Sequence, residues 1–160
     1  ILNITDNSDW SNATGPAWSN YENSSSNGSV YGKLYNWESI GNSAGICPDG
    51  WHVATQEEWQ TLMAYATALG PGTGGPLKSI DLWGQPNEGA TNETGFGAIP
   101  SGIRGADGLF EGLLDHTSFW SSTQDGSGSA WSYGIWSNGD FTIEASQDIA
   151  RGQACRCVKD

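Results

Sequence analysis

The sequence predicts an α+β domain in which loops make up much of the chain, and three observations carry that expectation. One segment, Thr55 to Leu69, has helical spacing with its own start and stop signals. Several short aromatic or apolar runs are punctuated by Gly, Asn and Pro, as strands joined by turns are. No repeat of fixed period links them, which argues against a solenoid or propeller. At 160 residues the chain is the size of one domain and long enough to bury a single core.

Taken in order, Ile1-Leu2-Asn3-Ile4 alternates well enough for a short strand, which pairs within the chain or adds to another chain's sheet. The rest of the N-terminal segment, 1–29, is rich in Asn and Ser and reads as loop. Its aromatics set it apart from a disordered tail, so Trp10 and Trp18 are expected to dock on the core or on a neighbouring subunit. The domain proper is taken as 30–160. Val30 to Trp37 has the content of a strand buried on at least one face, and a Gly-rich connector follows. Thr55 then caps the main helix. With Glu58 three residues on it forms a capping box; Trp59, Leu62, Met63, Ala66 and Leu69 give one apolar face; Gly70-Pro71 ends it. Leu77 to Trp83 reads as a short helix or an irregular stretch. Asp107-Gly108 reads as a hairpin turn into Leu109-Phe110. Ala130 to Trp136 and Phe141 to Ala145 alternate around Ser137 to Asp140, where Asn138-Gly139 supplies the positive φ of a tight hairpin. Ala154 to Val158 closes the chain as its last strand.

Composition says what the core is made of. Aliphatic residues are sparse beside 9 Trp, 5 Tyr and 4 Phe, so the interior is built from aromatic plates, and 23 Gly let those plates approach backbone. A net charge of -12 with only 6 Lys+Arg leaves no basic surface for nucleic acid or anionic lipid. No apolar run approaches the roughly 20 residues that span a bilayer, so membrane insertion is not expected. A solvated exterior is the plain consequence of the acidity. Calcium held by carboxylates is the functional alternative, although no Asp-x-Asp-x-Asp-Gly run occurs. Starting at Ile1 with no initiator Met, the chain reads as a mature form freed of a signal peptide or as a piece of a longer protein. The acceptor pattern Asn-x-Ser/Thr occurs at Asn3, Asn12, Asn23, Asn27 and Asn92, which makes these candidate glycosylation sites and supports secretion.

The most specific stretch is Cys47-Pro48-Asp49-Gly50-Trp51-His52-Val53, which runs into Thr55-Gln56-Glu57-Glu58-Trp59 and is answered by Arg156-Cys157-Val158-Lys159. It resembles the signature of the Fibrobacter succinogenes major paralogous domain, a secreted bacterial module related to formylglycine-generating enzymes and C-type lectins. The resemblance covers Val30 to Lys159. Gly95 to Arg104, with its Gly-Phe and Pro-x-Gly, and Ser118 to Thr123 resemble strands of the same family. It implies a C-type lectin-like fold with one main helix on small twisted antiparallel sheets, and a disulfide between Cys47 and Cys157 that ties the helix region to the last strand. The residues alone leave open that both thiols stay reduced. Cys155, two residues before Cys157 on one strand face, reads as a small buried hydrophobe, with intermolecular pairing or a switched partner for Cys47 as the alternatives.

The remaining constellations bear on chemistry. Trp51 to Trp59 is similar to the helix-entry motif of formylglycine-generating enzymes, whose copper site needs two thiolates; here the pair is Cys155-Arg156-Cys157, on one strand face. His52 is expected as a packed, hydrogen-bonded core residue and His116 as an exposed one, too far apart in sequence to build a His-rich zinc site without carboxylates or thiols. Gln85-Pro86-Asn87-Glu88 is similar to the tripeptide with which sugar-binding C-type lectins hold calcium and sugar hydroxyls, which makes Gln85, Asn87 and Glu88 a candidate ligand loop; the alternative is a plain turn. Trp83, Trp131 and Trp136 are either core or sugar-stacking rings.

The expectation is a non-catalytic, extracellular or cell-surface bacterial module with a structural or adhesive role, assembling with itself into a fibre or array through its N-terminal segment. A carbohydrate- or ligand-binding C-type lectin-like module, with cell-surface glycans as partner and calcium as the one cofactor in question, is the alternative. A copper oxidase is the third reading.

Overall fold

The computed structural model describes residues 1–41 and 45–160; residues 42–44 of the Gly-rich connector lie outside them. Ten strands and three α-helices form an α+β architecture among the described residues. The N-terminal segment is more ordered than its composition predicts. β1 (Leu2–Asn3) pairs in parallel with β2 (Ala17–Asn20), placing Leu2 opposite Ala17 and Asn3 opposite Trp18. Between them, Asp6 caps α1 (Asn7–Ser11) by accepting from the Ser8 and Asp9 amides at 2.8 and 3.0 Å. Ser24 opens α2 (Ser25–Tyr31), which Gly32 ends at φ 80°. Val30 and Tyr31 are therefore helical, and the strand expected over Val30 to Trp37 shrinks to β3 (Lys33–Tyr35). The Ser cap was a signal that aromatic content masked.

β4 (Trp51–Val53) leads into α3 (Gln56–Leu69), whose capping box and stop fall where the sequence put them. Leu77 to Trp83 is irregular. A five-stranded sheet follows, in the order β6-β5-β7-β8-β9, from β5 (Ser101–Arg104), β6 (Phe110–Leu113), β7 (His116–Gln124), β8 (Ser129–Trp136) and β9 (Thr142–Asp148). The Asp107-Gly108 hairpin joins β5 to β6, with Gly108 at φ 86°. β10 (Cys157–Lys159) closes a two-stranded ribbon with β4.

The chain from Gly152 to Ala154 fuses these pieces. Gly152 bridges Arg104, Gln153 bridges Tyr35 and Ala154 bridges Phe119, so three consecutive residues stitch β5, β3 and β7 together. The aromatic core sits between α3 and one face of the large sheet. Trp59 stacks on Tyr133 at 4.7 Å between ring centres and leans against Phe96 and Phe119, each at 5.5 Å. Such pairs add about 0.5–1.5 kcal/mol each beyond area burial.

Trp10 docks within the chain: it is buried and donates its indole N–H to Ala150 O at 3.0 Å. Arg104 lies beneath it, fully buried, with its guanidinium 4.3 Å from the Trp10 ring and 4.7 Å from the Phe110 ring. Its donors reach Gly108 O at 2.8 Å, Ile4 O at 2.6 Å, Asn7 Oδ1 at 3.1 Å and Asp6 O at 3.2 Å. One side chain thus holds the first turn of the chain against the large sheet. Trp18 stays half-buried on the smaller sheet, with Lys33 Nζ 4.0 Å over its ring.

Candidate functional site

Cys47 and Cys157 form the disulfide that the resemblance implied, across 110 residues of sequence. It fixes β10 beside β4 at the entrance to α3. There Thr55 Oγ1 accepts from the Glu58 amide at 3.2 Å, and Glu58 Oε2 accepts from the Thr55 amide at 2.8 Å, closing the capping box. His52 is half-exposed rather than a core residue. Its Nδ1 lies 2.6 Å from Asp160 and its Nε2 2.9 Å from Glu58. Both ring nitrogens face carboxylates, an arrangement that suits the imidazolium, and the hydrogen bonds to Asp160 and then Glu58 raise the pKa of His52. Burial works against the Glu58 carboxylate, but hydrogen bonds from Thr55 and His52 leave its pKa below the usual value.

Cys155 does not share a strand face with Cys157. Ala154 still pairs with β7 through Ser118 O, whereas Arg156 O already accepts from Ala54, so Cys155 sits where the chain changes neighbours. It is a free, half-buried thiol whose pKa burial pushes up, in keeping with a small hydrophobe. The thiolate pair that the copper reading needs is not assembled, because the Cys157 sulfur is bonded to Cys47.

In the candidate ligand loop, Gln85 and Glu88 are exposed and Asn87 turns inward. Asn87 Nδ2 donates to Ser79 O at 3.2 Å, and its Oδ1 is buried without a partner among the described residues. Behind the loop lies a residue that sequence reasoning missed. Lys78 is fully buried, and its Nζ donates to Glu88 O at 2.6 Å, Gly139 O at 2.9 Å and Trp136 O at 3.1 Å. Burial lowers its pKa, partly offset by Asp140 and Glu88. The carbonyl oxygens that converge behind the loop thus converge on an ammonium that the chain itself supplies. The same clamp reshapes the β8–β9 connection: neither Asn138 nor Gly139 takes positive φ, and Gly139 is needed instead because the Phe141 ring packs where a side chain would stand. The signal available in the sequence was the scarcity of basic residues, which makes a Lys within an apolar stretch such as Leu77-Lys78 worth a role.

His116 is half-buried, not exposed. It stacks on Trp136 with ring centres 4.6 Å apart, and its Nε2 lies 2.9 Å from Ser118 Oγ. Burial, aided by Arg151, brings its pKa down to about 4, so the ring is neutral at neutral pH. Of the three candidate sugar platforms, Trp83 is core and donates to Ala98 O at 2.8 Å, Trp136 stacks on His116 and tilts against Phe141, and Trp131 is half-buried. A second feature outside the sequence reading is an apolar groove of about 620 Å3 between α3 and β10, bordered by Trp51 and Tyr65.

The five candidate glycosylation sites differ in presentation. Asn3, Asn12 and Asn23 are exposed, while Asn27 and Asn92 are half-buried. Asn12 and Asn23 cap carbonyls of Ser8 and Thr5, and Asn92 Oδ1 accepts from the Gly97 amide, which leaves Asn3 as the exposed acceptor with no side-chain hydrogen bond among the described residues. No group of three or more His, Cys, Asp or Glu is placed to hold a metal ion among the described residues, and none of the described helices is long and apolar enough to cross a membrane.

Fold and site define a disulfide-closed α+β domain in which buried cations grip main-chain carbonyls. The chain belongs to the Fibrobacter succinogenes major domain family, whose model matches residues 2–159 and so takes in the N-terminal segment that the resemblance had left aside. Comparison with curated proteins and with solved structures found no match.

Proposed function

We propose that this chain is a non-catalytic, extracellular structural or adhesive module of a bacterial surface, with a C-type lectin-like fold, and that it assembles through its N-terminal edge. The disulfide supports an oxidising compartment. The observation that carries self-assembly is the position of β1. It occupies the outside of its sheet, and since Leu2 and Ile4 donate to Pro16 and Trp18, the N–H and C=O of Asn3 point away from β2. Leu2 is 70% exposed beside them. Because Arg104 grips Ile4 through Asn7, β1 stays in its own sheet and offers this free edge to the same edge of a second copy, rather than leaving to complete a neighbour.

Light scattering over a concentration series tests the reading. Asn3→Pro removes the outward N–H without breaking a home bond, and Leu2→Glu places charge on the edge. Wild-type mass should rise with concentration and both variants should stay monomeric. A wild type that remains monomeric throughout, or variants that associate equally, sinks it. Sugar binding remains the second reading, supported by the exposed pair Gln85 and Glu88 beside the unpaired Asn87 oxygen. A glycan array with calorimetry in calcium decides it, and silence in both removes it.

A further inference from the structure

The groove between α3 and β10 has three properties that together specify a ligand class. Its floor and walls are apolar, with Trp59, Leu62, Phe96 and Val158 lining it and Tyr65 and Trp51 exposed at the rim by 54% and 43%. One wall is a strand with an unused edge. Arg156, Val158 and Asp160 direct their backbone groups toward β4, as the bonds from Ala54 to Arg156 O and from Asp160 to Gly50 O require. The intervening residues, Cys157 and Lys159, therefore direct theirs outward, where they meet no backbone partner among the described residues.

The third property is charge. On a chain of net charge -12 this groove is lined by two of the 6 basic residues, Arg156 and Lys159, and by one carboxylate, Glu58. Glu58 already faces Thr55 and His52. Arg156 is held over the Phe96 ring at 4.2 Å, with Nη2 donating to Phe96 O at 3.0 Å, and forms no ion pair among the described residues. The groove is thus a cationic, apolar channel in an acidic surface.

We propose that this groove binds an extended peptide of a partner protein, one with bulky apolar side chains and a carboxylate, by adding it as a strand to the open edge of β10. Main-chain bonds to Cys157 and Lys159 supply the register, alternate side chains enter the apolar floor, and the carboxylate meets Lys159 and Arg156. A partner strand spanning Arg156 to Lys159 is about four residues long at about 3.3 Å per residue. The site is separate from the β1 edge, so either can fail alone.

The test uses the intact, disulfide-bonded chain. Short random peptides displayed on phage are selected against it, and the enriched sequences are synthesised and titrated by calorimetry. The expected sequences alternate large apolar residues and carry Asp or Glu. Tyr65→Glu and Lys159→Glu, both at exposed positions, should each weaken binding by about tenfold or more, while Asn3→Pro leaves it unchanged. Amide exchange at Cys157 and Lys159 should slow on binding. No enriched peptide, affinity indifferent to both groove variants, or unchanged exchange at those two amides overturns the proposal. So does dodecanoate filling the groove when no peptide does, since a fatty acid has no use for a strand edge.

Discussion

Removing the Cys47–Cys157 bridge should change the stability of this domain more than any other single covalent edit. The bond closes a loop of 110 residues, for which chain-entropy reasoning gives about 5 kcal/mol at 25 °C. That is the scale of a small domain's whole net stability, about 5–15 kcal/mol. Native contacts offer β10 little replacement, because a three-residue ribbon with β4 is its only pairing in a sheet among the described residues. The variant is Cys47→Ser in a Cys155→Ser background, so that no thiol is left to take over as a partner. Urea titration followed by tryptophan fluorescence gives the free energy. A domain of this length loses about 2–4 °C in Tm per kcal/mol, so the midpoint of a thermal scan should fall by about 10–20 °C. Reducing the unaltered chain should reproduce the loss. If the variant loses less than about 1 kcal/mol, the loop-closure argument is wrong and the closing strand is held by packing alone.

Arg104→Ala should destabilise by about 3 kcal/mol or more, since the carbonyls of Ile4, Asp6 and Gly108 lose a buried donor, and limited proteolysis should then cut first within residues 1–11. Lys78→Met, close in shape but without charge, should cost about 2–4 kcal/mol and speed amide exchange at Glu88, which donates to Ser137 O in the clamped loop; unchanged exchange there would mean that Lys78 does not hold the loop. The two histidines should shape the pH profile with opposite signs. His116 titrates at about 4 in the fold, below its ordinary value of about 6.5, so the unfolded chain gains a proton first and stability declines as pH falls between those values, by at most about 3 kcal/mol. His52 is raised, so its contribution is complete below the ordinary value and fades as pH rises through the raised one. Urea midpoints from acid to alkaline pH check this: His116→Gln should flatten the acid limb and His52→Gln the alkaline one.

What the sequence made legible was local or covalent. Thr55, Glu58 and Gly70 mark α3 because capping acts over a few residues, and the Asp107-Gly108 turn follows from one glycine at positive φ. The Cys47–Cys157 pair came through family resemblance, since spacing alone proves no bond. What stayed hidden depends on distant chain. Asn138-Gly139 carries the local signature of a tight hairpin, yet Lys78, some sixty residues earlier, fixes the turn by gripping Gly139 O, and the local preference yields. Beyond the short strand at its start, the segment 1–29 read as loop because its order comes from Arg104 and Ala150, which no N-terminal window contains. His116 looked exposed beside Asp115 because nothing nearby announces that Trp136 covers it.

One consequence follows from where the positive charge is used. Lys78, Arg104 and Arg156 all point their donors at peptide oxygens, and the two ion pairs within 4 Å among the described residues both belong to His52. The acidic exterior is therefore left for dissolved counter-ions to neutralise. Two such molecules repel across a Debye length of about 30 Å in dilute fresh water but only about 8 Å in physiological saline. Crowding these domains together on a surface is thus governed by the ionic strength of the surroundings, with brine drawing neighbours close and rainwater spreading them apart.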